Sequence, residues 1–427
     1  MPRNVLFNLL TSRRFAPLLA TQFLGAFHDN IFKNAFVVLI LYEATVDKPA
    51  IVATLAAAIF ILPFVLFSAL GGELADKFSK HHVIRATKIA EIPIAVLGAV
   101  AITSSDIHLS YITLFLLGSQ SALFGPSRYA IMPEHLDKKE LVAANGLISA
   151  CVFISILMGT IIGTALITQQ SGKIFIISLL FICAFAGTFF SFLIPSSTAY
   201  KNKTILNFNP LSKTPSIIQY TLLQPHILSI PVLGIGWFYF MGSLFLSQFP
   251  NYARSILFVD EMVLTLFLSF FTIGIAFGGL CNAWLLRTNL SMHYIPLALA
   301  GISVFSTDLY FASYAFGSTD NLLGLSGFLS HGSSLRILFD IFIIAVCGGL
   351  FQVPLNALLQ QRATPDQRSR LLAGSAAVNS LFIITSSIFA AVLLSVGITI
   401  HALFAVLAIM NTAALILFLK HRKKMNS

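Results

Sequence analysis

Charge is what this chain has least of. Only 10% of its 427 residues are Asp, Glu, Lys or Arg, while 57% are hydrophobic and 40 are phenylalanine. Ordinary soluble domains carry about 25% charged residues, so a water-soluble globular protein is excluded and a chain solvated by lipid is indicated. Cysteine is scarce as well: Cys151, Cys183, Cys281 and Cys347 fall in separate apolar runs, with no Cys-x-x-Cys spacing. Neither a disulfide framework nor a cysteine metal site is expected, and the four read as small buried hydrophobes. Enzyme signatures are missing too. No histidine has an aspartate five residues on, and neither a Gly-x-Ser-x-Gly elbow nor a Walker phosphate loop occurs. The chain reads as a non-enzyme with no cofactor and no metal. Its net charge of +10 would suggest nucleic acid in a soluble protein. In a membrane protein, basic loops beside anionic lipid account for it, so membrane lipids are the expected surroundings and no nucleic-acid partner is expected.

What is abundant is apolar length. About 20 apolar residues span the hydrocarbon core as a helix. Six stretches qualify before a polar break, at residues 15–42, 50–72, 83–103, 110–129, 142–168 and 173–194. Six follow it, at 227–252, 262–286, 292–316, 335–360, 371–396 and 399–420. The fold class expected is an all-α integral membrane protein with twelve transmembrane helices in two six-helix bundles. The bundles are placed at residues 1–195 and 226–427, with a cytoplasmic linker over 196–225. The first run continues past its middle without a small-residue cleavage pattern, so it is read as a retained span rather than a signal peptide. With the N-terminus inside, only Lys48, Lys173, Arg254 and Arg336 of the 26 basic residues fall outside, and Lys33 lies within a span. Both termini are therefore placed in the cytoplasm.

The first span holds an anomaly. Gln22, His28, Asp29, Asn30, Lys33 and Asn34 interrupt it near its middle. A charge at that depth costs about 2.5–3.5 kcal/mol or more, so it needs a partner, water or a function. Helical spacing puts Gln22, Gly25, Asp29 and Lys33 on one face, with Asn30 beside them, facing an expected internal cavity. Asp29 and Lys33 stand four apart and can neutralise each other; alternatively Asp29 meets a cationic headgroup or Arg128 from the fourth span. Arg128 suits phosphate, or anchors the inner leaflet as an interfacial cation. Lys88 with Glu91, and Arg336 with Asp340, read as structural pairs within their helices.

Faint internal duplication runs through the chain. Phe23-Leu24-Gly25 resembles Phe240-Met241-Gly242, and Gly71-Gly72 resembles Gly278-Gly279. Pro126 and Pro354 each stand two residues before a polar residue, Arg128 and Asn356, and Asn145 is matched by Asn379. The copy is imperfect: Leu246 occupies the place of Asp29. Intramembrane charge is thus concentrated in the first half, while the second offers amides and apolar surface. Asn145, Asn356 and Asn379 join the candidate substrate-binding residues, although interhelical hydrogen bonding alone explains them equally well. Gly159-x-x-x-Gly163 and Gly274-x-x-x-Gly278 read as packing faces.

The segment Gly72-Glu-Leu-Ala-Asp76-Lys77-Phe-Ser-Lys80 resembles the gating loop of the major facilitator superfamily. There Asp76 is expected to cap a helix N-terminus, and Lys77 and Lys80 to pair with acids across a gate. Within that superfamily the chain is similar to the lysophospholipid transporter family. The likeness is carried by residues 22–30, Phe124-Gly-Pro-Ser-Arg128, Leu141-Val-Ala-Ala-Asn145-Gly146 and residues 348–360. It implies alternating-access flipping of lysophospholipids, such as lysophosphatidylethanolamine, across the bacterial inner membrane for re-acylation. An acyltransferase acting on the flipped lipid is then a candidate partner, and the transporter itself is expected to be a monomer. Relatives commonly carry a small residue at the place of His28 and Lys at that of Arg128. The competing reading is a proton-coupled exporter of amphipathic small molecules, with Asp29 as the proton site; the fifth span lacks the Gly-Pro pair such antiporters carry.

Overall fold

In hydrocarbon no water is present to satisfy the backbone, so each apolar run must close its own hydrogen bonds as a helix. A computed structural model of the protein describes residues 2–43, 49–197, 210–285, 294–316 and 322–426. Twelve long helices match the expected spans: α2 (Ala16–Glu43), α3 (Pro49–Lys77), α4 (Lys80–Ser104), α5 (Ile107–His135), α6 (Leu141–Ile167), α7 (Gly172–Leu193), α9 (His226–Asn251), α10 (Glu261–Leu285), α11 (Tyr294–Phe316), α13 (Ser334–Arg362), α14 (Arg368–Ser395) and α15 (Ile400–Asn426). Three shorter ones, α1 (Pro2–Thr11), α8 (Pro210–Leu222) and α12 (Leu325–Ser330), complete the set. Among the described residues, eleven helices are long and apolar enough to cross a membrane. The twelfth, α2, has 28 residues, and its polar stripe is what lowers its hydropathy. Lys48, Lys201, Lys203 and Arg287, used in the orientation reading, and the start of the ninth expected span at residue 292 lie outside the described residues.

Local chemistry sets several boundaries. Asp106 caps α5 by accepting from the His108 and Leu109 amides at 2.8 and 3.1 Å. Asp260 does the same for α10, with the Met262 and Val263 amides both at 3.0 Å. Gly397, with φ of 88°, turns the chain between α14 and α15. After Pro250, α9 ends in a π-helical turn, Tyr252–Ile256, where the missing proline amide disturbs the regular ladder.

The chain forms two compact units. The first comprises Met1–Ala144, Ile154–Leu223 and Leu359–Ser380; the second comprises Asn145–Phe153, Gln224–Leu358 and Leu381–Ser427. In the first, α3 and α4 pack on α5, and α2 and α4 on α7. Its core joins Ile31, Phe32, Phe36, Leu114, Leu117, Ile176 and Leu180. Large apolar side chains on α7, including Ile174, Phe175 and Phe189, are more than half exposed, as lipid-facing residues must be. The segment read as a linker holds helix α8. Its Thr214 donates to the Val65 carbonyl at 2.8 Å, Lys213 pairs with Glu73 at 2.7 Å, and Ile217 packs between Ala69 and Ala373.

The second unit is held by aromatic contacts and amides. Phe245 stacks on Phe404 at 5.2 Å, and Tyr252 packs on Phe267 and donates to or accepts from Ser313 at 2.6 Å. Arg336 forks onto Asp308 of α11, with Nε 2.9 Å from Oδ2. That corrects the expected pairing with Asp340: a carboxylate on the neighbouring helix meets the guanidinium, and Asp340 is buried. Asn411 on α15 accepts from the Trp237 indole at 2.9 Å and donates to the Leu299 carbonyl at 2.7 Å. Replacing Asn411→Leu leaves those two groups unpaired, at about 1–3 kcal/mol each. The variant is expected to unfold at lower temperature in detergent, and Trp237→Phe in the same background to lose less than the single change predicts. Equal melting of Asn411→Leu and wild type would contradict this assignment.

Candidate functional site

The stripe on α2 is built into the first unit by close packing. Cβ atoms placed on Gly159 and Gly163 of α6 would lie 2.8 Å from Asn30 Cβ and 2.7 Å from the Ile31 carbonyl, so only glycine lets the two helices approach. Asn30 and Asn34 donate back along α2 to the Ala26 and Asn30 carbonyls, both at 2.8 Å, which satisfies amides inside a helix without help from water. Asn34 also donates to Thr160 of α6 at 3.1 Å. Gln22, His28, Asp29 and Asn30 are buried, and Lys33 is half-buried.

Each charged group has its own surroundings. Asp29 Oδ2 accepts from the Ser121 hydroxyl of α5 at 2.7 Å, and its Oδ1 lies 3.6 Å from His28 Nδ1. Lys33 donates to Asn30 Oδ1 at 3.1 Å and sits 5.7 Å above the Phe60 ring of α3. Arg128 of α5 donates to Gln22 Oε1 and lies 4.2 Å over the Tyr129 ring and 5.8 Å from that of Phe124. Among the described residues no ion pair joins Asp29 to Lys33 or to Arg128, so both pairings expected from the sequence are replaced by neutral partners. The guanidinium of Arg128 has no carboxylate partner among the described residues, and its Nε has no hydrogen-bond partner.

Lys88 and Glu91 of α4 do pair as expected, in nearly complete burial. Gln120 of α5 completes the pair by donating to Glu91 Oε2 at 3.0 Å and to the Thr87 carbonyl at 3.2 Å. Gly25 makes room: a Cβ there would collide with Lys88 Nζ. Gln120 and Ser121 were missed in the sequence, where their one visible signal is two adjacent polar residues inside the fourth apolar run.

The gating segment lies at the end of α3. A Cβ on Gly72 would come 2.5 Å from Ala373 Cβ and 3.1 Å from the Ser369 carbonyl, so glycine permits the first turns of α14 to close on α3. Asp76 faces Ser369 there, with Lys80 and Arg370 as neighbouring cations. Lys80 pairs with Glu134 at the end of α5 at 2.7 Å. Lys77 makes no ion pair among the described residues and lies 5.9 Å from the Phe78 ring. Arg370 also covers the Tyr220 ring of α8 at 3.8 Å. Of the remaining candidates, Asn145 and Asn356 are buried in the second unit, where Asn356 donates to the Gln352 carbonyl at 3.4 Å. Asn379 belongs to the first unit, apart from the α2 cluster in its hydrogen bonding.

Comparison with known proteins gives three kinds of match. The profile of the Major Facilitator Superfamily matches residues 18–332. The chain is 26% identical over 360 residues to the lysophospholipid transporter LplT of Klebsiella pneumoniae, covering 83% of this chain and 81% of that one. It is 25% identical over 356 residues to LplT of Cronobacter sakazakii, with the same coverage of each. The human organic anion transporter MFSD10 (TETRAN) shares the fold, with a TM-score of 0.72 at 12% identity over 94% of this chain and 99% of that chain.

Breaking a buried ion pair from one side costs about 3–5 kcal/mol, whereas replacing both partners by packed hydrophobes is far milder. Lys88→Met alone is therefore expected to lower the melting temperature sharply, and Lys88→Met with Glu91→Leu to recover most of the loss. Additive losses in the double variant would show that the two side chains act separately.

Proposed function

The chain belongs to the major facilitator superfamily, and on that premise we propose that it flips lysophospholipids between the leaflets of a bacterial inner membrane by alternating access. The observation that carries the reading is Arg128. It is a half-buried guanidinium in a membrane-spanning helix whose partners are an amide and two aromatic rings, with no carboxylate among the described residues. A phosphodiester supplies the missing anion in the bidentate geometry a guanidinium favours. Asp29, with one oxygen held by Ser121 and the other without a hydrogen bond, is a complementary seat for the ammonium of an ethanolamine headgroup. The names of the relatives at 25–26% identity support the same substrate class.

In this reading lipid moves inward for re-acylation by an acyltransferase, both termini are cytoplasmic, and the transporter works as a monomer. Residues 1–195 and 226–427 are the two rocking bundles, with 196–225 joining them. Gln22, Asn30 and Lys33 are further candidate lipid contacts beside Asp29; Asn145, Asn356 and Asn379 are candidate contacts elsewhere in the chain; and Gly72, Asp76, Lys77 and Lys80 control the cytoplasmic gate. No bond is made or broken, so the protein acts as a carrier and the acyl transfer is left to the partner.

Purified protein in liposomes is expected to flip fluorescent lysophosphatidylethanolamine well above the rate in empty liposomes. Arg128→Ala should lose about tenfold or more, the effect of one charge-assisted hydrogen bond, with Arg128→Lys in between. Asp29→Asn should slow the ethanolamine lysolipid more than lysophosphatidylglycerol, which has no ammonium. Flipping no faster than in empty liposomes would refute the substrate class.

A further inference from the structure

One buried side chain, His28, has no part in headgroup recognition. His28 is 1% exposed, and neither of its ring nitrogens has a hydrogen-bond partner. Its Nδ1 lies 3.6 Å from Asp29 Oδ1 and 3.9 Å from Glu91 Oε1, and both of those oxygens are buried without hydrogen bonds. The other oxygen of each carboxylate is occupied, that of Asp29 by Ser121 and that of Glu91 by Lys88 and Gln120. Two acids thus turn one empty oxygen each toward the same imidazole nitrogen.

We propose that His28, Asp29 and Glu91 form a proton-binding site in the middle of the first unit. Unmet hydrogen bonding favours it. Asp29 Oδ1 and Glu91 Oε1 are buried acceptors without a donor, and a proton on the imidazole places an N–H between them. An imidazolium beside two carboxylates gains two favourable charge contacts, and its single Nδ1–H is shared between the oxygens at 3.6 and 3.9 Å. The groups facing the cluster are few. They are Asp29 and Lys33 on α2, Lys88 and Glu91 on α4 and the Cys183 thiol on α7. α6 contributes the hydroxyls of Ser155 and Thr160, and α3 the Phe60 ring. A proton is favoured over a metal ion, because among the described residues no three His, Cys, Asp or Glu side chains are placed to hold one.

Coupling follows, and this step rests on the lysolipid reading. The ammonium of a lysophosphatidylethanolamine and the imidazolium of His28 compete for the same oxygen, Asp29 Oδ1. Lipid binding then expels the proton, and by linkage a bound proton weakens lipid binding by the same factor.

The test uses the full chain in lipid nanodiscs with 15N-labelled histidine, titrated by NMR from about pH 5 to about pH 8, the range in which imidazoles change charge. One imidazole signal, absent from His28→Asn, is expected to titrate. Its midpoint should fall in Glu91→Gln, since removing a carboxylate removes support for the charged form. A His28 signal that stays neutral throughout, or an unchanged midpoint in Glu91→Gln, would overturn the site. Should Glu91→Gln fail to fold, proton release decides. Lysophosphatidylethanolamine added to wild type in weak buffer should release about one proton per chain, and none from His28→Asn. Release equal in both would overturn the coupling. Should the lipid not bind at all, the transport reading falls, and the NMR titration of wild type against His28→Asn still decides the proton site. Sodium replacing potassium should leave the His28 signal in place; a sodium-dependent shift would identify a metal-cation site and overturn the proton assignment.

Discussion

Ionised groups held inside hydrocarbon have to be satisfied by the helices that carry them, and that constraint shapes the first unit. Lys88 and Glu91 meet most of their obligation together, with Gln120 donating to the same carboxylate oxygen as Lys88. Asp29, Lys33 and Arg128 meet theirs through neutral partners, Ser121, Asn30 and Gln22. The glycines follow from the same need. Gly25 leaves space for the Lys88 ammonium, while Gly159 and Gly163 bring α6 against the backbone of α2. A neutral partner satisfies hydrogen bonding but leaves the charge in place.

The two halves of the duplication have diverged in chemistry more than in helix count. α9 carries Leu246 where α2 carries Asp29, and its unit is tied by ring contacts among Phe245, Tyr252, Phe267 and Phe404. Its polar bonds include that of Trp237 to Asn411, between neutral groups, and one half-exposed ion pair, Arg336 with Asp308. A zwitterionic headgroup needs fixed charge at one place and an acyl chain needs none at another. The division of labour between the halves fits a substrate with one polar end and one apolar end.

Much of this was legible in the sequence, because length and hydropathy decide whether a segment spans a bilayer. All twelve spans appear as helices, and α3 and α5 run beyond their expected ends because polar residues near the interface do not interrupt a helix. The stripe on α2 and the Lys88–Glu91 pair were visible as spacing. Partners on other helices were not. Ser121 beside Asp29, Gln22 beside Arg128 and Asp308 beside Arg336 depend on helix rotation, which no periodicity reports. Helix α8 was hidden in a segment whose average polarity read as a linker, although Ile217 and Ile218 give it an apolar contact with Ala69 and Ala373. His28 was noticed, but its second carboxylate, Glu91, comes from a helix more than sixty positions away in the chain.

The central claim is that the uncompensated guanidinium of Arg128 seats a lipid phosphate. An arginine-selective dicarbonyl reagent, read at Arg128 by peptide mass spectrometry on the purified chain, tests it most directly. Lysophosphatidylethanolamine should slow modification of Arg128, and a monoacylglycerol of the same chain length, which lacks the phosphate, should not. Equal modification with both lipids, or equal protection by both, would contradict the claim.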